Sequence, residues 1–170
     1  MPQLGDPSFH RSVVLMIEHA ETGAMGLVLT RGSSLTLEQL ANGQELDIAA
    51  RREKDSVYLG GPVEPQRGFV LHDRPDVEES VELIPGLYLS VTVDALAPLL
   101  ASPHGRLRFC MGYSGWGPHQ VEEEIAQGAW LFTEAQPASV LDTDPAHLWD
   151  HTLRTMGVDP AMLQVGRGVN

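Results

Sequence analysis

Three residues stand where proton-transfer chemistry could be built. Glu18 and His19 close one apolar run, and His72 closes another. Strand ends converge at sheet edges, so a carboxylate and two imidazoles there could share a cleft and act as general acid and base. In the other reading each makes a hydrogen bond that holds a turn. A second candidate is Gly112-Tyr113-Ser114-Gly115-Trp116. It approaches the G-x-S-x-G nucleophile elbow, but glycine follows the serine directly and Trp116 takes the later glycine position. Spacing assigns Ser114 neither an acid nor a histidine partner. A tight strand-to-helix connection that needs its glycines is the alternative. Gly60-Gly61-Pro62 could bring backbone against a ligand, but it lacks the Lys-Ser/Thr of a P-loop and the spacing of a dinucleotide fingerprint. Gly60, Gly61, Tyr113, Ser114 and Trp116 together form a candidate ligand or partner surface.

Metal and anion chemistry have thinner support. His147 and His151 have the helical spacing of a zinc pair, but Leu148 stands where a zinc protease carries its glutamate. His119 with Glu122 or Glu123 also has ligand-compatible spacing. The helix start after Gly117 could attract an anion, yet Glu122, Glu123 and Glu124 already complement its dipole and would repel one. Cys110, inside an apolar strand, reads as a small buried hydrophobe. No metal and no cofactor is expected.

The elements that must position these residues follow from periodicity. Residues 12–18 form a continuous apolar run, the mark of a strand buried on both faces. Gly26–Thr30 reads as its hairpin partner. Thr36-Leu37-Glu38-Gln39 is a capping box opening a short helix to about Asn42. Strands are expected at Ser56–Leu59, Gly68–His72, Val81–Leu83, Leu87–Val91, Arg106–Met111 and Ala129–Thr133. Asp94 is expected to cap a helix to about Ala101. Pro118 should open one to about Gln127, stopped at Gly128, and Asp144-Pro145 a last one to about Met156, stopped at Gly157. Hairpins mixed with helices point to an α+β fold.

The chain of 170 residues matches one domain, residues 1–170, on a prior of roughly 150 residues per domain. It has no run of about 18 apolar residues, so no membrane helix is expected. One cysteine excludes a disulfide framework, and a cytoplasmic location is expected. Eleven Lys+Arg against 23 Asp+Glu leave a net charge of −12. Residues 109–153 carry seven acids and no Lys or Arg. The one dense basic cluster is Arg51-Arg52-Glu53-Lys54, which reads as a solvated loop. A duplex would be repelled over most of the chain.

Several segments resemble one family. Met1-Pro2, Asp6-Pro7-Ser8-Phe9, Arg11-Ser12-Val13-Val14, Glu18-His19 and Gly23–Val28 match its opening signature. Leu59-Gly60-Gly61-Pro62-Val63 with Arg67–His72 matches its middle. Gly112–Gly117 with Gln120-Val121-Glu122, Glu124-Ile125 and Trp130-Leu131 matches its third part, and Leu148-Trp149 through Gly157-Val158-Asp159 its tail. On these residues the chain resembles the AlgH/YqgE-like bacterial proteins. The resemblance implies a bifurcated, mostly antiparallel sheet curled into a pseudo-barrel with flanking helices. It implies no established catalytic residue, metal or cofactor, and it carries an association with transcriptional regulation. Family members usually have an apolar strand before the Met-Pro that is residues 1–2 here. Upstream codons for such a strand, or an open sheet edge near residues 12–18 that favours self-association, are therefore expected. The position of Ser114 is often alanine in the family.

The leading expectation is a non-enzymatic regulatory or interaction module that binds a protein partner or a small ligand. The alternative is an enzyme using Glu18, His19 and His72, and a direct DNA-binding regulator comes last. The charge distribution gives a first prediction. Duplex binding at physiological salt should be undetectable by fluorescence anisotropy, and a sequence-specific signal there would refute it.

Overall fold

The computed structural model describes residues 9–164. The elements are β1 (Val14–Ala20), β2 (Gly23–Val28), β3 (Gly32–Thr36), α1 (Leu37–Gly43), β4 (Ser56–Leu59), β5 (Val63–His72), β6 (Ser80–Ile84) and β7 (Leu87–Ser90). They continue with α2 (Val93–Ala101), β8 (Leu107–Trp116), α3 (Gln120–Ala126), α4 (Pro137–Asp142), α5 (Pro145–Thr155) and α6 (Pro160–Gln164). The sheet runs β1-β2-β8-β5-β7-β6, with β4 also on β8 and β3 on β4. It is mostly antiparallel and curls into a nearly closed barrel with helices outside. Among the described residues no helix is long and apolar enough to cross a membrane.

Strand β8 organises the rest. One side pairs with β5 from Leu107 to Met111. On the other side Cys110 and Met111 pair in parallel with Tyr58 and Leu59 of β4, and Ser114–Trp116 then pair antiparallel with Ala24–Gly26 of β2. The sheet forks where β4 ends. Gly60 spans the fork: its N–H donates to the Met111 carbonyl at 2.8 Å, and its own carbonyl accepts from the Val28 N–H at 2.8 Å. A Cβ on Gly60 would collide with the Gly112 carbonyl, and one on Gly61 with the Tyr113 peptide. Gly112 itself has a φ of +69°, a left-handed conformation that glycine reaches without strain.

Both faces of the central strands are covered. Phe69, Leu71 and Cys110 point into a core closed by Val140, Leu141 and Leu148 of α4 and α5. Val70 and Phe109 point into a second core closed by Leu37 and Ala41 of α1 and by Ala95, Leu96, Leu99 and Leu100 of α2. The capping box at Thr36 forms as expected, as does the Asp144 cap, and β6 turns into β7 at Pro85-Gly86.

Several expectations are corrected. The Gly112–Trp116 stretch is not a strand-to-helix turn; β8 runs through it, because two neighbouring strands supply its hydrogen bonds. β1 is not buried on both faces. Among the described residues it is an edge strand, and Leu15 alone of its residues is buried. Residues 129–133 form no strand. Thr92, not Asp94, caps α2, and α3 starts at Gln120 rather than Pro118. α6 follows the helix expected to be last. Arg52 is buried rather than solvated, and it donates to the carbonyls of Ser102, His104 and Gly105 just past α2. A guanidinium there satisfies backbone acceptors that would otherwise lose water.

The fork sets a stability prediction. Gly61→Ala should cost more than about 3 kcal/mol, because backbone rather than a movable side chain is in the way. Gly43→Ala, where a Cβ meets nothing within 4 Å, should stay within about 1 kcal/mol of the parent. Urea midpoints of the two variants check it.

Candidate functional site

The three proton-transfer candidates do not share a cleft. His19 pairs with Ala24 in β2, which pairs with Trp116 at one end of β8. His72 pairs with Leu107 at the other end. Nine residues of strand separate those positions, about 30 Å at 3.3 Å per residue. Glu18 lies beside His19, paired with Met25. His19 is exposed and bonds Glu122 at 2.6 Å. The Glu122 carboxyl is held below its usual range by its own backbone N–H and then by His19.

His72 is fully buried. Its Nδ1 accepts from the Arg74 N–H at 3.3 Å, which leaves the ring proton on Nε2. Nε2–H therefore donates to the Ser90 hydroxyl at 3.0 Å or the Ser80 hydroxyl at 3.3 Å. Ser80 and Ser90 bond each other at 2.7 Å. A nitrogen that already carries a proton cannot take one from either serine, so this buried Ser–His arrangement is a closed structural network. Burial pushes the His72 pKa down and keeps the ring neutral.

Ser114 is also buried, and its hydroxyl donates to the Gly60 carbonyl at 3.3 Å. It ties the two branches of the sheet and contacts no histidine. Gly60, Gly61, Tyr113 and Ser114 thus sit together at the fork, with Tyr113 edge-on to Phe69. The Cys110 thiol is pushed up to about 12 by complete burial, which removes its nucleophilic form. His151 bonds Ser139 at 3.2 Å. Among the described residues no group of three or more His, Cys, Asp or Glu side chains could hold a metal ion. Arg108, buried in β8, donates to the carbonyls of Leu29 and Thr143 and lies over the Tyr58 ring.

Trp116 faces elsewhere. It packs with Ala24 and Val121 in a small third core, and its ring meets those of Phe9 and Trp130 at 6.4 and 5.9 Å. One carboxylate fixes this cluster: Glu124 Oε2 accepts both indole N–H groups, from Trp116 at 3.1 Å and Trp130 at 2.7 Å. Gln120 holds the other oxygen at 2.9 Å. The sequence carried a trace of this device in the i, i+4 spacing of Gln120 and Glu124 just before Trp130.

Beyond the indoles opens a cleft of about 580 Å³, within the range of ligand sites. Its walls are residues 12–16 at the start of β1, residues 130–136, and the inner faces of α3 to α6. All three tryptophans line it, and among the described residues Glu134 is the only ionisable one on its lining. Leu131 and Phe132 on one wall are 50% and 77% exposed. Trp116 is the only one of the expected ligand-surface residues that reaches the cleft.

With this geometry in place, the comparisons with known proteins are decisive for kinship. The AlgH-like family model matches residues 1–161. The chain belongs to the AlgH-like family. An AlgH-like relative, a UPF0301 protein of Myxococcus xanthus, is 66% identical over 170 residues, all of this chain and 94% of that one. A UPF0301 protein of Magnetococcus marinus is 37% identical over 165 residues, covering 96% of this chain and 88% of that one. The solution structure of the AlgH protein from Pseudomonas aeruginosa superposes with a TM-score of 0.77 at 33% identity, over 100% of this chain and 92% of that one. A Corynebacterium diphtheriae crystal structure shares the fold alone, with a TM-score of 0.71 at 22% identity over 99% and 87% of the two chains.

These placements rank the stability effects of the three side chains. Trp116→Ala should cost about 3–5 kcal/mol. His72→Ala should cost about 1–3 kcal/mol, because it empties a fully buried site and takes one partner from the bonded Ser80–Ser90 pair. His19→Ala should stay within about 0.5 kcal/mol, as exposed pairs do. The depressed pKa of His72 adds a pH test. The unfolded ring binds its proton at a higher pH than the folded ring, so stability should be full above the unfolded pKa and fall as pH drops toward the folded one. Denaturant midpoints between pH 7.5 and 5 should show this fall in the parent and a weaker one in His72→Gln.

Proposed function

We propose that this AlgH-like protein is a non-catalytic regulatory or interaction module, and that its cleft takes an apolar group of a protein partner or a small ligand. The cleft carries the reading: about 580 Å³ of space bounded by three indoles, with one ionisable side chain on its walls. Mostly apolar pockets with a few polar groups are the usual form of ligand sites. Exposed Leu131 and Phe132 extend the apolar surface outward, and such patches mark binding sites. The separation of His19 from His72 leaves the acid–base alternative without an assembled site. The module acts in the cytoplasm, consistent with its single, inert thiol.

An uncharged solvatochromic dye tests the reading. Nile red should bind with enhanced fluorescence, and Leu131→Glu and Phe132→Glu should each weaken it at least fivefold. Leu59→Glu, on an exposed apolar residue outside the cleft, should leave binding unchanged. Parent-like binding by both cleft variants would refute the reading.

A further inference from the structure

The end of β5 holds a contact that only a neutral ring can make. The Arg74 N–H donates to Nδ1 of His72 at 3.3 Å. A proton on Nδ1 would set one N–H against another. The other ring nitrogen is committed to the Ser90 and Ser80 hydroxyls, and Tyr88 stacks on the ring face with centroids 5.8 Å apart. The site is fully buried, so no water takes the place of a lost partner. The carboxylates that act on the ring, Asp73 and Asp76, are engaged by arginines. Asp73 accepts from the backbone N–H and the Nε of Arg106, both at 2.8 Å, and Asp76 from Arg74 Nε at 2.6 Å. On β6, Glu82 takes the Tyr88 hydroxyl at 3.1 Å and the Gly86 N–H at 3.2 Å. Glu78, Glu79 and, from α2, Asp94 are exposed to water. Arg108 of β8 stands opposite Leu71 and donates to other carbonyls. Arg74 is itself a like charge for an imidazolium.

Relief falls on the connection that follows the ring. β5 is pinned at His72 itself between Tyr88 of β7 and Leu107 of β8. Residues 73–79 belong to no helix or strand, and Arg74 reaches the end of α2 by one bond, from Nη1 to the Ser102 hydroxyl at 3.3 Å. We infer that His72 is an acid-sensitive latch: protonation of the buried ring releases the Arg74 peptide and with it the 74–79 connection, while β5 stays in the sheet. The inference is independent of the binding-module reading. Linkage fixes its direction. Burial holds the folded ring below the ordinary histidine value, whereas a released connection lets the ring titrate at about 6.5. The released state is therefore least populated above that pH. It gains up to about thirtyfold in population between pH 7.5 and 5.

Residue-resolved amide exchange on the full chain tests it, with protection corrected for the intrinsic pH dependence of exchange. Protection of the Arg74 amide should fall at least fivefold between pH 7.5 and 5. At pH 5 its exchange should depend on urea less than a third as steeply as that of Phe109 and Cys110, because a local opening exposes little surface and β8 opens only with the whole molecule. The imidazole nitrogen spectrum at pH 7.5 should show Nδ1 without a proton. His72→Asn supplies a carbonyl that can accept the Arg74 N–H but cannot titrate, and it should abolish the pH dependence at Arg74. Arg74 protection that does not change with pH, a urea slope equal to that of Cys110, or a protonated Nδ1 would each overturn the latch. If His72→Asn does not fold, the exchange profile and nitrogen spectrum of the parent still decide.

Discussion

The structure depends on one close approach of backbone to backbone. The Gly60-Gly61 segment meets Gly112 to Ser114 at a distance that leaves no room for a β-carbon on Gly60, Gly61 or Gly112. That contact lets a single strand serve three neighbours. β8 gives one edge to β5 and divides the other between β4 and β2. The Gly60 peptide bridges the division by bonding both Met111 and Val28, and Ser114 adds a side-chain tie to the same peptide. Without the fork, β2 could not leave the line of β4.

Groups that look chemically active in the sequence mostly serve this frame. His72 closes a network of two serines and a backbone amide. Arg52 collects the carbonyls beyond α2, and Arg108 reaches from β8 to the carbonyls of Leu29 and Thr143. Each polar group is buried with partners, which offsets its lost hydration. Buried charges of this kind constrain geometry, and a protonated or fully bonded group has no capacity left for a substrate. Polar groups are scarce instead on the walls of the cleft. The cleft has a mostly apolar lining, and Glu124 holds two of its indoles in fixed orientation. Such walls are preorganised, so in the binding role proposed above less of the free energy would go into ordering side chains.

The features legible in the sequence are local. Apolar runs marked most strands, the Thr36 box and the Asp144-Pro145 start marked helix entries, and Gly128 and Gly157, both at positive φ, marked exits. Composition argued against a nucleic-acid partner, and the ordered motifs were specific enough to indicate the family before any coordinates. Tertiary structure alone decided what those elements do. The Gly112–Trp116 stretch read as a turn because glycine usually breaks a strand, and β5 with β2 kept it extended. Residues 129–133 had a strand's composition but formed none, since a strand exists only where a neighbour accepts its hydrogen bonds. Glu18, His19 and His72 were rightly placed at strand ends, yet which end of the barrel each occupied depended on register and strand order. Those are set by pairings between residues far apart in the chain, and no local pattern records them.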